Sequence, residues 1–258
     1  MPIATCVTGM VLSAMPIGEY DKRLVILTKE LGKISVFAKG ARKPNSALLA
    51  CCQPFVFGEF SLYAGRNSYN LAACDVKNYF GELREDFEGL CYGFYFCEFS
   101  EYVTKENNDE KEVLKLLYQS LRALAKKTLN RQLIRLIFEL KMIALNGEAP
   151  QVFECIKCGS KAIQSEVDVE KDRFYFSTAN GGILCKSCSV IDRGAIIINT
   201  SSLYAMQYII SREVEKLYTF TVSPQVLNQL QNCIGSYLAR FSDHEFKSLH
   251  MLDSLSPK

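Results

Sequence analysis

The chain has 258 residues, enough for one large domain or for two to three small ones. Hydrophobic residues make up 48% and charged residues 22%, which is typical of globular proteins and excludes a disordered chain. The formal net charge of +2 excludes a polycation, and no apolar run approaches the roughly 20 residues of a membrane-spanning helix. The N-terminal stretch MPIATCVTGMVLSAM has no Lys or Arg ahead of its apolar residues, so we expect no signal peptide and a soluble, cytoplasmic protein.

The first 80 residues predict five short strands. Segments rich in Val, Ile, Phe and Tyr are separated by breaks that contain glycine. Five strands in about 80 residues are typical of a closed barrel of the OB type, and an SH3-like barrel fits the same pattern. Gly58 predicts a bend in the fourth strand. The predicted strands lie in TCVTGMVLSAM, RLVILT, KISVFAKG, PFVFGEFSLYA and SYNLAACDVKNYF.

From about Leu83 the apolar residues follow a helical period. The segment FEGLCYGFYFCEFSEYV is apolar almost all round, which predicts a central buried helix. Later helices are predicted around residues 114–125, 133–144 and 202–211, and Ser223 followed by Pro224 predicts the start of a last one. We therefore predict an α+β multidomain protein. Its parts are an N-terminal OB-type β-barrel at 1–80, a helical bundle from 81–150 and 195–250, and an inserted zinc ribbon at 151–194.

Four of the eleven cysteines form two C-x2-C pairs, CIKC and CKSC, with 26 residues between them. Zinc prefers four thiolates in a tetrahedron, and each C-x2-C turn presents two sulfurs on one side. The segment RFYFSTANGGILC predicts a hairpin that brings the pairs together. Because all four ligand places are filled, we predict one structural zinc ion. The predicted ligands are Cys155, Cys158, Cys185 and Cys188.

A redox dithiol is the rival interpretation of these pairs, and the lack of a surrounding βαβ pattern argues against it. The 26-residue spacer is longer than the commonest spacing of zinc ribbons. The other seven cysteines lie mostly among apolar neighbours, so we expect small buried side chains rather than disulfides. His244 and His250 lack metal-ligand spacing, and we expect surface or structural roles for both.

The segment KGARKPNS, residues 39–46, carries three cations beside a glycine and ahead of a proline. One interpretation is a solvated hairpin end. The other is a barrel edge that follows phosphates, because such barrels commonly bind nucleic acids with cations on the backbone and aromatics under the bases. The predicted nucleic-acid contacts are Lys39, Arg42 and Lys43 of this segment, with Lys22, Arg23 and Arg66 of the same barrel.

The stretch GEYDKRLVILTKELGKISVFAKGARKPNS, residues 18–46, resembles the N-terminal barrel of the bacterial RecO family of DNA repair proteins. The order of barrel, helical bundle, four-cysteine insertion and closing helices also fits, so the resemblance covers essentially the whole chain. The basic segment and the cysteine pairs are its specific parts. The resemblance implies a recombination mediator of the RecF-type pathway that binds single- and double-stranded DNA and anneals complementary strands.

The resemblance also implies that the protein acts with RecR to help load RecA onto DNA coated by single-strand-binding protein. It implies no catalysis, and the sequence agrees, since it shows no P-loop, nucleotide fingerprint, catalytic triad or open metal site. We expect a cytoplasmic protein associated with the nucleoid. Arg131 and Arg135 stand beside apolar residues on one predicted helix, which suits docking of the acidic tail of single-strand-binding protein. An ordinary amphipathic helix with a basic outer face fits that pattern equally well.

Three other functions stay open at this point. A zinc-ribbon and barrel protein of translation or transcription would bind RNA instead of DNA. A structural adaptor would bind a partner protein and no nucleic acid. A thiol-based enzyme would contain no zinc and would have a reactive Cys155.

Overall fold

A computed structural model of the chain describes residues 4–66, 68–162, 173–242 and 244–255. The chain divides into two compact units. The N-terminal unit is Met1–Lys127 with Glu245–Lys258, and the C-terminal unit is Thr128–His244. Helices expected in one bundle are thus shared between the two units. The boundaries 1–80, 81–150 with 195–250, and 151–194 stay a prediction.

Five strands of the N-terminal unit form a closed barrel in the order β1-β2-β3-β5-β4, which confirms the predicted OB-type barrel. The neighbouring strands are antiparallel except β3 and β5, which are parallel. That parallel seam consists of two residue pairs, Val36 with Tyr69 and Phe37 with Asn70. The strands are β1 Thr5–Ile17, β2 Asp21–Thr28, β3 Gly32–Ala38, β4 Phe57–Ala64 and β5 Tyr69–Asn78.

Alternation of buried and partly exposed side chains along the strands fills the barrel. In β3 the side chains of Ile34, Val36 and Ala38 are buried, and the intervening ones are partly exposed. The register between β4 and β5 shifts between Phe57 and Gly58, where the sequence predicted a bend. A Cβ atom at Gly58 would lie 2.3 Å from the carbonyl oxygen of Asp75, so the two strands approach too closely for a side chain.

The described residues of the N-terminal unit also form four α-helices: α1 Gly81–Arg84, α2 Phe87–Val103, α3 Lys111–Lys126 and α7 Lys247–Leu255. Helix α2 is the one predicted to be central and buried. Its aromatic residues Tyr95, Phe96 and Phe99 are buried, whereas Phe87, Phe94 and Tyr102 are exposed on one side. The carboxylate of Glu98 in α2 accepts hydrogen bonds from the backbone N–H groups of Lys247 and Ser248, which joins α7 to α2.

In the part of the C-terminal unit that the structure describes, three α-helices combine with a small sheet in the order β7-β6-β8. Ser223 caps α6 by accepting a bond from the N–H of Val226, as its sequence predicted. Among the described residues, no helix is both long and apolar enough to cross a membrane. The elements are α4 Arg131–Leu145, β6 Arg173–Ser177, β7 Gly182–Leu184, β8 Ile196–Asn199, α5 Thr200–Ser211 and α6 Pro224–Phe241.

Candidate nucleic-acid interface and metal centre

The basic segment is fastened to the turn between β1 and β2. The backbone N–H of Gly40 donates to Oδ1 of Asp21 over 2.7 Å, and the N–H of Arg42 donates to the carbonyl of Tyr20 over 2.8 Å. Gly40 has φ +67°, a conformation in which a side chain would be strained. These bonds fix the path of the segment, so its cations extend from an anchored backbone.

The three cations of the segment are exposed. The guanidinium of Arg42 donates to the carbonyl of Gly18 over 3.2 Å. The ammonium of Lys43 lies 5.6 Å from the centre of the Tyr20 ring, within the range of a cation–π contact. Lys39 follows β3 directly. The arrangement places three positive charges on one rim of the barrel.

Strand register brings the other predicted cations to the same end of the barrel. Arg23 is exposed, and its Nε donates to Oγ of Ser35 over 3.0 Å. Arg66 is exposed in the turn after β4, and this turn precedes the residues of β5 that pair with the end of β3. Lys22 differs, because its ammonium is half-buried and donates to the carbonyl of Cys52 over 2.7 Å. DNA contact by these cations stays a prediction, and Lys22 already has a partner inside the fold.

At this end of the barrel, one residue from each strand contributes to an outward-facing row. We call this row the outer row, and its members are Met15, Arg23, Phe37, Asn70 and Tyr63. Arg23 pairs with Met15 on one side and with Phe37 on the other. Asn70 pairs with Phe37 and with Tyr63. Directly paired residues share one face of a sheet, and none of these five side chains is buried. The sequence does not predict the row, because alternation within strands indicates exposure but not the register between β3 and β5.

The four predicted metal ligands come together in the C-terminal unit. Their sulfur atoms all lie within 4.8 Å of one another, and the sulfurs of Cys158 and Cys185 are 3.8 Å apart. A tetrahedral site with zinc–sulfur bonds of about 2.3 Å has edges of about 3.8 Å. The donor set therefore fits a four-thiolate metal ion.

Backbone hydrogen bonds shape both C-x2-C turns for this purpose. In the first turn, the N–H of Gly159 donates to the carbonyl of Cys155, and Gly159 adopts φ +71°. In the second turn, the N–H groups of Cys188 and Ser189 both donate to the carbonyl of Cys185. The hydroxyl of Ser160 lies 3.1 Å from the sulfur of Cys158, and this contact lowers the pKa of that thiol to about 6. A lowered thiol pKa favours the thiolate that a metal ion binds.

The predicted hairpin between the cysteine pairs is confirmed by β6 and β7. It is anchored to the helices of its own unit. Arg240 of α6 donates to the carbonyl of Thr178 over 2.5 Å, and the hydroxyls of Thr178 and Ser236 lie 2.9 Å apart. Gln207 of α5 donates to the carbonyl of Val152 over 2.7 Å. The two C-x2-C turns and the hairpin between them, called the four-cysteine module, are thus part of the packed unit. Residues 163–172 of the predicted insertion lie outside the described residues.

Of the seven other cysteines, five are buried as predicted. Cys6 is exposed instead, and Cys74 is half-buried. Burial raises the pKa of Cys233 to about 12, which keeps that thiol protonated. The buried ones are Cys51, Cys52, Cys91, Cys97 and Cys233.

Arg131 and Arg135, the predicted partner-binding residues, lie in the first two turns of α4 and are half-buried. Nε of Arg135 donates to Oε1 of Glu139 over 2.7 Å, and the side chain of Glu139 is only 1% exposed. The apolar residues beside the two arginines are buried in the unit. Binding of a partner through this helix stays a prediction, and Arg135 already neutralises a buried carboxylate.

Comparison with known proteins adds the family context. A family model described as "Recombination protein O C terminal" matches residues 84–250, and one described as "Recombination protein O N terminal" matches residues 3–80. A "DNA repair protein RecO" from Acetivibrio thermocellus is 33% identical over 248 residues, which cover 96% of each chain. A protein of that name from Alkaliphilus metalliredigens is 34% identical over 94% of this chain and 96% of its own. One from Symbiobacterium thermophilum is 27% identical over 96% of each chain.

Proposed function

The chain belongs to the RecO family, and from that premise we propose that it is a non-catalytic DNA repair protein that binds single- and double-stranded DNA through the basic end of its barrel. The observation that carries the proposal is the anchored segment with exposed Lys39, Arg42 and Lys43. Arg23 and Arg66 extend the same charged end. A cation held at a fixed place on a rim suits contact with the phosphate backbone.

Phosphate contact explains how such a protein works on any sequence. Each phosphate that a cation neutralises releases condensed counterions, so affinity falls as salt rises. Phosphates carry no base information, so this contact is independent of sequence. A protein that holds single strands by their backbones leaves the base edges free to pair, which supports a role in annealing complementary strands. With RecR, the protein assists the loading of RecA onto DNA coated by single-strand-binding protein.

The metal proposed for the four-cysteine module is one structural zinc ion held by Cys155, Cys158, Cys185 and Cys188. The sulfur separations fit zinc, and four protein ligands leave no coordination place for a substrate. The ion supplies folding energy to the module and takes no part in chemistry.

The DNA interface is tested by a triple variant, Lys39→Ala, Arg42→Ala and Lys43→Ala. We expect weaker binding to unrelated single-stranded sequences by a similar factor, because the lost contacts are to phosphates. The slope of log affinity against log salt should fall by about 0.7 for each cation that contacts single-stranded DNA. Fluorescence anisotropy over a series of salt concentrations measures both quantities.

A matched control removes three exposed lysines elsewhere, Lys111→Ala, Lys115→Ala and Lys216→Ala, which changes the net charge equally. The control should keep the affinity and slope of the parent. If the folded Lys39, Arg42 and Lys43 variant instead binds like the parent, the segment is a solvated hairpin end and the proposed interface is wrong. A parent that prefers structured RNA over single-stranded DNA would favour the RNA-binding alternative.

Docking of the acidic tail of single-strand-binding protein on α4 is the second proposal to test, and Arg131 is the better probe. Replacing Arg135 would break its ion pair with the buried Glu139, so loss of binding could reflect damage to the helix. We expect Arg131→Ala to weaken binding of a tail peptide in calorimetry, while Arg122→Ala on α3 should not. If both variants bind the peptide with the affinity of the parent, the proposal that the tail docks on α4 is wrong.

A further inference from the structure

The outer row combines the two side-chain types that hold a single strand. It presents the aromatic rings of Phe37 and Tyr63, with Asn70 between them. Neighbouring strands lie about 4.8 Å apart, so these two rings are separated by two strand spacings, roughly 10 Å. Tyr63 is 39% exposed and Phe37 is half-buried, so both rings border solvent at the same end of the barrel.

Positive charge borders the row. Arg23 belongs to it, Lys39 directly follows the strand that carries Phe37, and Arg66 lies in the turn after the strand that carries Tyr63. Tyr20 is 41% exposed in the turn to which the basic segment is bonded. A chain of phosphates along these cations would therefore have aromatic rings beside it.

We propose that the outer row stacks the unpaired bases of single-stranded DNA, with Phe37 and Tyr63 as the stacking residues. The inference rests on the proposed function, and it adds a basis for preferring single strands. A duplex keeps its bases stacked on one another, so it offers phosphates to the cations but no free base to the rings. Stacking is tolerant of sequence, because every base has a π-face. Asn70 lies between the two rings in the strand register.

The test uses the full-length protein with Phe37→Leu and Tyr63→Leu together. Leucine retains an apolar side chain and removes the ring, which limits damage to the barrel. The probes are a single-stranded oligonucleotide, an abasic strand with the same number of phosphates, and a duplex of the same length. The parent should prefer the base-bearing strand over the abasic strand, by roughly 5- to 150-fold for each ring that stacks.

The variant should lose that preference and keep the parent's affinity for the abasic strand and the duplex. Its salt slope should be unchanged, because no cation is lost. A control variant, Tyr79→Leu with Phe87→Leu, removes two rings that are exposed elsewhere in the same unit and should bind like the parent. Phe37→Trp with Tyr63→Trp should restore the preference for bases, since the π-faces return.

Two outcomes overturn the inference. The first is a Leu variant that prefers the base-bearing strand as strongly as the parent does. The second is a Leu variant that loses affinity equally for all three probes, which points to a damaged barrel or a general contact. In either case, the proposed DNA binding by the basic segment would still be supported if the Lys39, Arg42 and Lys43 variant binds DNA more weakly than the parent. That function fails separately if the parent binds none of the probes.

Discussion

At the scale of single residues, a positive charge in the sequence does not reveal whether it faces a ligand or a partner within the fold. Lys22 and Lys39 are both cations at the end of the barrel. The ammonium of Lys22 donates to the carbonyl of Cys52, whereas Lys39 is exposed. Arg135 likewise pairs with the buried Glu139 one turn further along α4. The partner of a cation depends on tertiary packing, and charge patterns contain no information about it.

The pair of Arg135 and Glu139 leads to a stability prediction. Arg135→Met should lower the free energy of unfolding by about 3 kcal/mol, because it removes a cation that pairs with a buried carboxylate. The double variant Arg135→Met with Glu139→Met should cost clearly less, since no unpaired charge is then buried. Denaturant unfolding of the parent and both variants measures the difference.

An exposed ion pair is the control for the variants of Arg135 and Glu139. Lys216 and Glu213 are separated by 2.9 Å, and both side chains are more than half exposed. Lys216→Met should change stability by about 0.5 kcal/mol or less. A cost for Arg135→Met as small as that for Lys216→Met would contradict a buried ion pair.

At the scale of elements, local signals in the sequence predicted most helices and strands. Ser223 with Pro224 marks the start of α6, and Gly58 marks the irregularity of β4. Helix α5 begins at Thr200, two residues before the predicted start, because Asn199 caps it by accepting a bond from the N–H of Ser202. The four-cysteine set was predictable, because its ligand spacing is a local property of each turn.

The four-cysteine module leads to a prediction on metal content. Cys185→Ser should lose the zinc ion and lower the melting temperature, because metal binding supplies folding energy. Module elements that pack on α5 and α6 should become sensitive to protease before the barrel does. Elemental analysis and limited proteolysis measure these effects.

Cys6→Ser is the matched control, since Cys6 is exposed and lies outside the four-cysteine set. It should keep one zinc ion per chain and the parent's melting temperature. Purified parent protein without stoichiometric zinc, together with a Cys185→Ser variant as stable as the parent, would rule out the structural zinc site.

At the scale of the whole molecule, the sequence predicted the kinds of element better than their assembly. The apolar stripes of α3 and α4 indicate that each helix buries one face, but not which helix covers it. The structure places α3 in the N-terminal unit and α4 in the C-terminal unit. The outer row also depends on assembly rather than on local sequence. It requires the pairing of β3 with β5, and these strands are separated in the chain by β4 and a long loop.

The short parallel seam of the barrel has a dynamic consequence. Two residue pairs join β3 to β5, whereas six join β1 to β4. Regions with few backbone hydrogen bonds open locally more often than the rest of a fold. We therefore expect amides near Phe37 and Asn70 to exchange with deuterium faster than those paired between β1 and β2.

Single-stranded DNA that crosses the outer row would join both sides of this seam and hold it shut. Saturating oligonucleotide should then slow deuterium exchange around Phe37 and Asn70, and the β1–β2 hairpin serves as the internal reference in mass spectrometry. Unchanged exchange at the seam with DNA bound would show that the strand lies elsewhere. The β3–β5 seam would thus open less often while DNA is bound than in the free protein. Bound and free molecules would therefore differ in the local rigidity of the barrel as well as in occupancy.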